Sequence, residues 1–151
     1  MDVDLVLAIA HHLTVFTLVG IIAAEFALLQ PGISGTRLSQ LARMDAAYGG
    51  VAALVLLAGF ARVFWGAKGA DYYLGNNIFW GKMGLFLLVG LLSIRPTMAF
   101  RRWSYALKRD AAYAPGAIEI AASRRFIHLQ VAVLVFIPIF AATMARGYGL
   151  S

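Results

Sequence analysis

The sequence predicts an all-α integral membrane protein, a four-helix bundle whose helices alternate up and down. Hydrophobic residues make up 62% of the 151 residues and charged residues only 13%, and the mean hydropathy is +0.80. A water-soluble core of this size cannot contain that much apolar surface. Four apolar stretches of about 20 residues can each cross a hydrocarbon layer of roughly 30 Å at about 1.5 Å per residue. We therefore predict a single transmembrane domain over residues 1–151.

The first two helices are predicted over residues 5–29 and 46–65. The first ends at Gln30-Pro31-Gly32, because proline has no backbone N–H to donate and glycine ends a helix at little cost. A short loop follows the second helix and contains the pair Tyr72-Tyr73. Tyrosines concentrate where a membrane meets water, so this loop should lie at the surface of the bilayer.

The third helix is predicted over residues 77–97 and the fourth over residues 126–145. Pro96 weakens the end of the third helix, and Pro138 should kink the fourth. The connection between these helices, residues 100–125, is the longest in the predicted topology.

That connection also holds more basic residues than any other, and basic residues near helix ends set the orientation of a membrane protein. They are Arg101, Arg102, Lys108, Arg109, Arg124 and Arg125. We therefore predict that the connection lies in the cytoplasm and that both termini lie outside, where the acidic N-terminus with Asp2 and Asp4 also belongs. The expected location is the bacterial inner membrane, with the lipid bilayer as the surrounding partner.

Composition excludes several kinds of site. The chain has no cysteine, so disulfides, iron–sulfur clusters and thiolate metal sites are ruled out. Any cofactor must use histidine, lysine, methionine or carboxylate ligands. The net charge of +6 is concentrated in one connection, where it serves topology. An apolar bundle offers no basic groove, so we expect no nucleic-acid partner.

Four ionisable residues are predicted to lie at similar depth in the outer half of the membrane, and we call them the outer cluster. Counted from the helix ends, His11 and His12 lie roughly 10 Å below the outer surface. Lys82 lies about 8 Å and Arg62 about 5 Å below it. Each such group costs at least about 2.5 kcal/mol at membrane depth, so all four are functional candidates.

Three of these residues are potential nitrogen ligands for a metal. Adjacent histidines point about 100° apart on a helix, so His11 and His12 cannot serve the same role. Two arrangements stay open, a pair of His12 with Lys82, or His11 and His12 shared between two subunits. Lys82 would have to be deprotonated to bind a metal. A pair of His12 with His128 is unfavourable, because their depths differ by roughly 15 Å.

Glu25, Asp45, Arg95 and His128 lie within roughly 6 Å of the cytoplasmic helix ends and form a predicted inner cluster. The expected arrangement is an interfacial network of salt bridges in which Glu25 faces Arg95 or Arg43. His128 is the one attractive ligand in this group, although a hydrogen bond to a neighbouring carbonyl would also satisfy it. A relay of protons or ions through these residues is the alternative.

The chain resembles the bacterial family of membrane proteins of unknown function numbered 2214 (DUF2214) over nearly its whole length. The residues that carry the resemblance are Ala10-His11-His12-Leu13, Glu25, Asp45, Tyr48-Gly49, Arg62-Val63, Phe79-Trp80-Gly81-Lys82, Leu92-Ser93-Ile94-Arg95-Pro96-Thr97 and Ile127-His128-Leu129.

More distantly, the chain is similar to the HemJ type of protoporphyrinogen oxidase and to the CopD copper-resistance proteins. Both are helical bundles with a histidine early in the first helix. HemJ binds haem b and has a Trp-x-x-Lys-like feature on a middle helix, which the resemblance carries over to His12 and Lys82. A copper site is the weaker implication, because the five methionines form no cluster along the sequence.

The leading functional hypothesis is a haem b-binding redox or electron-transfer protein of the inner membrane. His12 or His11, with Lys82, would bind the iron. Arg62 and Lys68 would face the propionates, and His128 is a further candidate for cofactor binding. An apolar wall would exclude water from the haem, and its predicted members are Phe16, Phe60, Trp80 and Phe86.

Two other functions stay open. One is a membrane oxidoreductase of the HemJ type, in which Lys82 and Arg62 bind substrate carboxylates. The other is a haem-free subunit that handles ions or protons through the inner cluster. A homodimer is expected, because four helices enclose little space for a macrocycle and the small residues Gly49, Gly59 and Gly90 permit close helix approach. The electron-transfer partner, a quinone or another carrier, and any catalytic residue are not identified by the sequence.

Overall fold

A computed structural model of the chain describes residues 2–149. Every regular element in that range is an α-helix, so the all-α prediction is confirmed. The helices are α1 (Val3–Leu28), α2 (Gly35–Trp65), α3 (Gly69–Leu74), α4 (Asn77–Arg109) and α5 (Ala117–Ala145). All but α3 are long and apolar enough to cross a membrane, as a four-helix membrane bundle requires.

Two of the long helices begin at side-chain caps. The carboxylate of Asp2 accepts a hydrogen bond from the backbone N–H of Asp4 at 3.0 Å at the start of α1. The side-chain oxygen of Asn76 accepts from the N–H groups of Ile78 and Phe79 at the start of α4. These caps bind N–H groups that have no partner within the helix, and so they fix where each helix begins.

Three helix ends differ from the predicted bounds. α2 begins at Gly35, well before residue 46, and α4 continues to Arg109, beyond residue 97. α5 begins at Ala117 rather than at residue 126. The predicted long connection is therefore mostly helical, and only residues 110–116 link α4 to α5.

The extensions form because they bury apolar side chains at the basic end of the bundle. Leu38 and Leu41 are fully buried in the first turns of α2, and Phe100, Trp103 and Ile120 are almost completely buried where α4 meets α5. The extensions carry charged residues on their outer faces, which lowers their mean hydropathy. An amphipathic extension of this kind is stabilised by packing and does not need a continuous apolar run.

The four long helices pack as two antiparallel hairpins. α1 packs along α2 and α4 along α5, while α2 joins the hairpins through its contact with α4, and α1 touches α5 only lightly. The main core is shared by all four helices and includes Leu18, Ile22, Leu41, Tyr48, Val55, Phe100, Trp103 and Ile127. The alternation of directions confirms the up-and-down topology.

The bundle has two distinct ends. The terminal end holds both described termini and α3, and the basic end holds the connections of residues 29–34 and 110–116. Hydrogen bonds join the segments of the terminal end. The hydroxyl of Tyr72 donates to the carbonyl of Met144 at 2.7 Å, and the side-chain amide of Asn76 donates to the carbonyl of Tyr148 at 3.0 Å.

Candidate functional site

His11, Arg62 and Lys82 come together inside the terminal half of the bundle, and we call them the basic cluster. His11 on α1 is half-buried, and its ring packs against Gly59 of α2, where a Cβ would lie 3.5 Å from its Cε1 atom. Arg62 lies one turn after Gly59 on the same helix. The charges of Arg62 and of Lys82 on α4 both act on His11. Three helices thus bring three of the four residues of the outer cluster to one level.

Two nitrogen atoms of the basic cluster are buried without a hydrogen-bond partner, Nδ1 of His11 and Nε of Arg62. Over residues 2–149, neither Arg62 nor Lys82 forms an ion pair, since the structure contains one salt bridge there, between Arg102 and Glu119. Charged groups inside a membrane usually pair with one another or mark a binding site or pathway. The basic cluster therefore has excess positive charge and unused hydrogen-bonding capacity.

His12 points away from the basic cluster. Its ring is exposed, and the ring centroids of His11 and His12 are 6.1 Å apart at an angle of 82°. Its Nδ1 atom donates to the carbonyl of Ala8 at 2.7 Å, because a carbonyl oxygen can only accept. Nε2 of His12 lies on the outward face of α1, the face that also carries Phe16, which is 71% exposed.

His128 and Lys68 lie elsewhere in the bundle. The ring of His128 packs against Phe26 with their centroids 4.5 Å apart, near the basic end of α1. Phe26 follows His11 by about 20 Å along α1, so His128 does not belong to the basic cluster. Lys68 donates to the hydroxyl of Tyr72 at 3.1 Å at the terminal end.

Most of the predicted apolar wall lies on the surface of the single chain. Phe16, Phe60 and Trp80 are 71%, 48% and 55% exposed and face outward, where lipid would surround them. Of the four predicted residues, Phe86 packs against the core. Lys82 lies instead near the buried ring of Phe79, with its Nζ atom 5.5 Å from the ring centroid. An apolar residue in a membrane protein can face either lipid or the interior, so hydropathy alone does not choose between them.

Gly81 fixes the distance between α4 and α5 beside Lys82. A Cβ at Gly81 would lie 2.7 Å from a ring carbon of Phe140 on α5, which is closer than two carbon atoms can approach. We expect Gly81→Ala to lower the free energy of unfolding by about 1–3 kcal/mol, because the ring and α5 must move. Equilibrium unfolding in detergent and SDS micelles measures this change.

The matched control for this substitution is Gly84→Ala, one turn along α4. A Cβ at Gly84 meets nothing within 4 Å, and alanine favours a helix over glycine by about 1 kcal/mol. Gly84→Ala should therefore leave stability unchanged or raise it. Equal losses in the two variants would show that Gly81 is not a packing constraint.

A second group of polar side chains lies in the basic half of the bundle. Glu25 on α1 and Asp45 on α2 are 4% and 6% exposed. Thr97 on α4 donates its hydroxyl to Oδ1 of Asp45 at 2.7 Å. Tyr48, one turn after Asp45, is 5% exposed, and the charges of Glu25 and Asp45 both act on it. We call these four residues the carboxyl cluster.

The expectation that Glu25 pairs with Arg95 or Arg43 is wrong. Neither arginine forms an ion pair with an acidic residue of the described range, 2–149. Both are exposed, and the guanidinium of Arg95 lies 5.4 Å from the ring centroid of Phe126. Helix rotation turns Glu25 inward, toward α2, while Arg95 extends outward from α4. Residues that share a depth can therefore lie on opposite sides of a helix.

Neither Tyr48 nor Thr97 is among the site residues that the sequence predicts. One signal for Tyr48 was available, because a tyrosine three residues after an aspartate lies on the same face of a helix. Thr97 follows Pro96 inside α4, and no pattern in the sequence singles it out. Pairing α2 with α4 is what brings Thr97 to Asp45, and that pairing is known only from the structure.

The basic cluster does not resemble a site for a bare metal ion. No group of three or more histidine, aspartate or glutamate side chains that could hold a metal occurs in residues 2–149. A protein site with one or two nitrogen donors suits an ion whose other ligands come from a prosthetic group, as in haem proteins. The chemistry of His11 and Lys82 is compatible with that kind of site.

Comparisons with known proteins identify one family. No curated protein and no solved structure gives a significant match to this chain. Residues 3–149 match the profile of a family described as predicted membrane protein (DUF2214). The match covers all five helices and confirms the resemblance seen in the sequence. The chain therefore belongs to the DUF2214 family of predicted membrane proteins.

Proposed function

We propose that the protein is a haem b-binding redox protein of the bacterial inner membrane, with the basic cluster as its cofactor site. One observation carries the proposal. Three helices bring His11, Arg62 and Lys82 to one level of the membrane interior, where the described residues provide no acidic partner within ion-pair distance. A ligand that accepts nitrogen donors and carries carboxylates of its own would satisfy all three groups.

The donor atoms of the basic cluster fit that ligand. Nδ1 of His11 is buried, and no group of residues 2–149 meets hydrogen-bond geometry with it, so it would be available as a donor to iron when the ring is neutral. Lys82 is half-buried beside the buried ring of Phe79, and it is the second donor once deprotonated. Nε–H of Arg62 is also unpartnered and is placed to bind a carboxylate, which planar guanidinium groups favour.

The haem would supply the capacity to take up and release one electron. The chain contributes the surroundings of that reaction. Apolar side chains near Lys82, such as Phe79, would keep water out, and the positive charge of Arg62 would favour the reduced form of the site, which carries one positive charge less. The concentration of arginines at the basic end supports an orientation with that end in the cytoplasm.

The visible absorption spectrum of the detergent-purified protein, oxidised and then reduced with dithionite, tests the proposal. We expect a Soret band that moves on reduction. His11→Ala and Lys82→Ala should each weaken haem binding by more than the roughly 10–100-fold that is lost when a group supporting a metal ligand is removed. His128→Ala, which changes an exposed ring near the basic end, is the matched control and should keep the wild-type spectrum.

Each alternative outcome of these measurements has a distinct interpretation. A protein that stays colourless after reconstitution with haem would contradict the proposal. Loss of colour in His12→Ala but not in His11→Ala would place the ligand on the outward face of α1, where a second copy of the chain would have to complete the site. Turnover with protoporphyrinogen would assign the bound haem to an oxidase of the HemJ type, since an electron carrier should show none.

A further inference from the structure

We propose that Glu25 and Asp45 form a proton-binding carboxyl pair in the basic half of the bundle, in which one carboxyl group is protonated and donates to the other. This site lies apart from the basic cluster and does not depend on a haem. The interior of the bundle would then hold two sites, one that gathers basic side chains and one that gathers acids.

The geometry of the pair comes from α1, α2 and α4. His11 of α1 packs against Gly59 of α2. Glu25 and Asp45 each lie fourteen residues from that contact, toward the basic end of the same two antiparallel helices. The two carboxyl groups therefore lie at one level on the facing sides of α1 and α2.

Two further residues adjoin Asp45. Thr97 of α4 donates to Oδ1 of Asp45 at 2.7 Å, which holds that carboxylate in place. Tyr48 lies one turn further along α2 and is itself buried.

Glu25 provides a second and independent observation. Its side chain is 4% exposed, and its Oε1 atom is buried with no hydrogen-bond partner. An ionised carboxylate that is buried and unpaired is too costly to persist, and the group takes up a proton instead. A protonated Glu25 can donate its O–H, and the neighbouring Asp45 is an acceptor with capacity beyond its bond to Thr97.

Among the described residues, no basic side chain forms an ion pair with Glu25 or Asp45 in place of that proton. The basic side chains on the turns of α2, α4 and α5 nearest the level of the pair include Arg43, Arg95, Arg101, Arg124 and His128. The charge of Arg101 acts on Asp45, but Arg101 is exposed and forms no ion pair with it. Arg124 of α5 donates to the backbone carbonyls of Phe26 and Leu29. These hydrogen bonds at the end of α1 already occupy its guanidinium.

A proton suits this site better than a metal cation. A hard cation such as Ca²⁺ takes roughly 6–8 oxygen ligands, whereas the described residues place two carboxyl groups and two hydroxyl groups here. The hydroxyl of Thr97 already donates to Asp45. Sharing one proton needs only two oxygen atoms with good geometry, and two neighbouring carboxyl groups commonly hold one proton between them.

Infrared spectroscopy of the purified full chain tests the pair, because a protonated carboxylic acid has a C=O stretch separate from the carboxylate bands. At pH 7 in sodium-free buffer, the wild type should show such a band, and it should shift in D₂O. Glu25→Gln should abolish the band, and Asp45→Asn should move it by removing the acceptor. The matched control is Glu119→Gln at the exposed salt bridge with Arg102, which should leave the band unchanged.

A chemical measurement in native membranes covers the case in which the amide variants fail to fold. Hydrophobic carbodiimides react with protonated carboxyl groups inside membranes, so dicyclohexylcarbodiimide should add its mass to the peptide that contains Glu25. Glu25→Asp keeps an acid at this position and should keep both the adduct and the infrared band.

Three results would overturn the proposal. The first is a wild-type protein with no protonated carboxyl band at pH 7 and no adduct on Glu25. The second is a band that keeps its wild-type position in both Glu25→Gln and Asp45→Asn. The third is a band and an adduct that disappear when sodium chloride is added but persist in choline chloride, which would assign the site to a sodium ion.

Discussion

Replacement of Trp103 by alanine should lower the free energy of unfolding by about 3–5 kcal/mol, the range typical of a large aromatic side chain removed from a core. Trp103 is completely buried, and its ring lies 5.5 Å from that of Phe100 between centroids. Its Nε1–H donates to Oε2 of Glu119 at 2.9 Å, while Arg102 binds the other oxygen of that carboxylate. Trp103 therefore joins α4 to α5 at the basic end by packing and by a hydrogen bond.

Two further variants separate these contributions. Trp103→Phe keeps most of the ring but loses the N–H group, and the cost should fall to about 1–2 kcal/mol. Tyr105→Ala removes an aromatic ring that is 65% exposed on the same helix, and its effect should stay within about 0.5 kcal/mol. Equilibrium unfolding in mixed micelles gives all three values. A similar loss in Trp103→Ala and Tyr105→Ala would show that the α4–α5 contact contributes little to stability.

The position of Trp103 also shows where sequence analysis of this protein succeeds and where it stops. Hydropathy identifies the four spans because each must satisfy the same length and composition. It ends α4 near residue 97, although that helix continues to Arg109. Beyond the span, α4 buries only one face, which contains Phe100 and Trp103. To predict such an extension, one must know which helix covers that face, and the sequence does not specify the partner helix.

The same distinction applies to the candidate sites. Depth along a helix follows from residue count, so the sequence places His11 and Lys82 at one level, and the structure brings them together with Arg62. Rotation about the helix axis depends on packing between helices. It separates His12 from His11 and turns Glu25 toward Asp45. A bundle with apolar residues on all sides gives little sequence signal for that rotation.

The surface charges at the basic end act on the carboxyl cluster. That cluster lies in the half of the bundle that carries the arginines of α4 and α5, and the charge of Arg101 acts on Asp45 without a short ion pair. Such attraction is weak across water but less screened inside a bilayer. It lowers the cost of an ionised Asp45 and leaves that residue available as an acceptor.

Replacement of Asn76 by alanine should have the second-largest effect on stability, a loss of about 2–4 kcal/mol. Asn76 is completely buried. Its side-chain oxygen caps α4 by accepting from Ile78 and Phe79, and loss of a cap costs about 1 kcal/mol. Its amide group donates to the carbonyl of Tyr148 at 3.0 Å. Removing that donor leaves a carbonyl unsatisfied, which adds about 1–3 kcal/mol.

The neighbouring Asn77→Ala is the matched control for this prediction. Asn77 is exposed, and it contacts the C-terminal segment through its backbone N–H, which donates to the carbonyl of Gly149 at 3.0 Å. Alanine keeps that N–H, so stability should be nearly unchanged. Hydrogen exchange gives a local readout. Asn76→Ala should speed exchange at the start of α4 and in residues 144–149, because the same side chain holds both segments. If exchange accelerated only in α4, Asn76 would act as a cap alone and the C-terminal segment would be held by other contacts, such as the bond from Tyr72 to Met144.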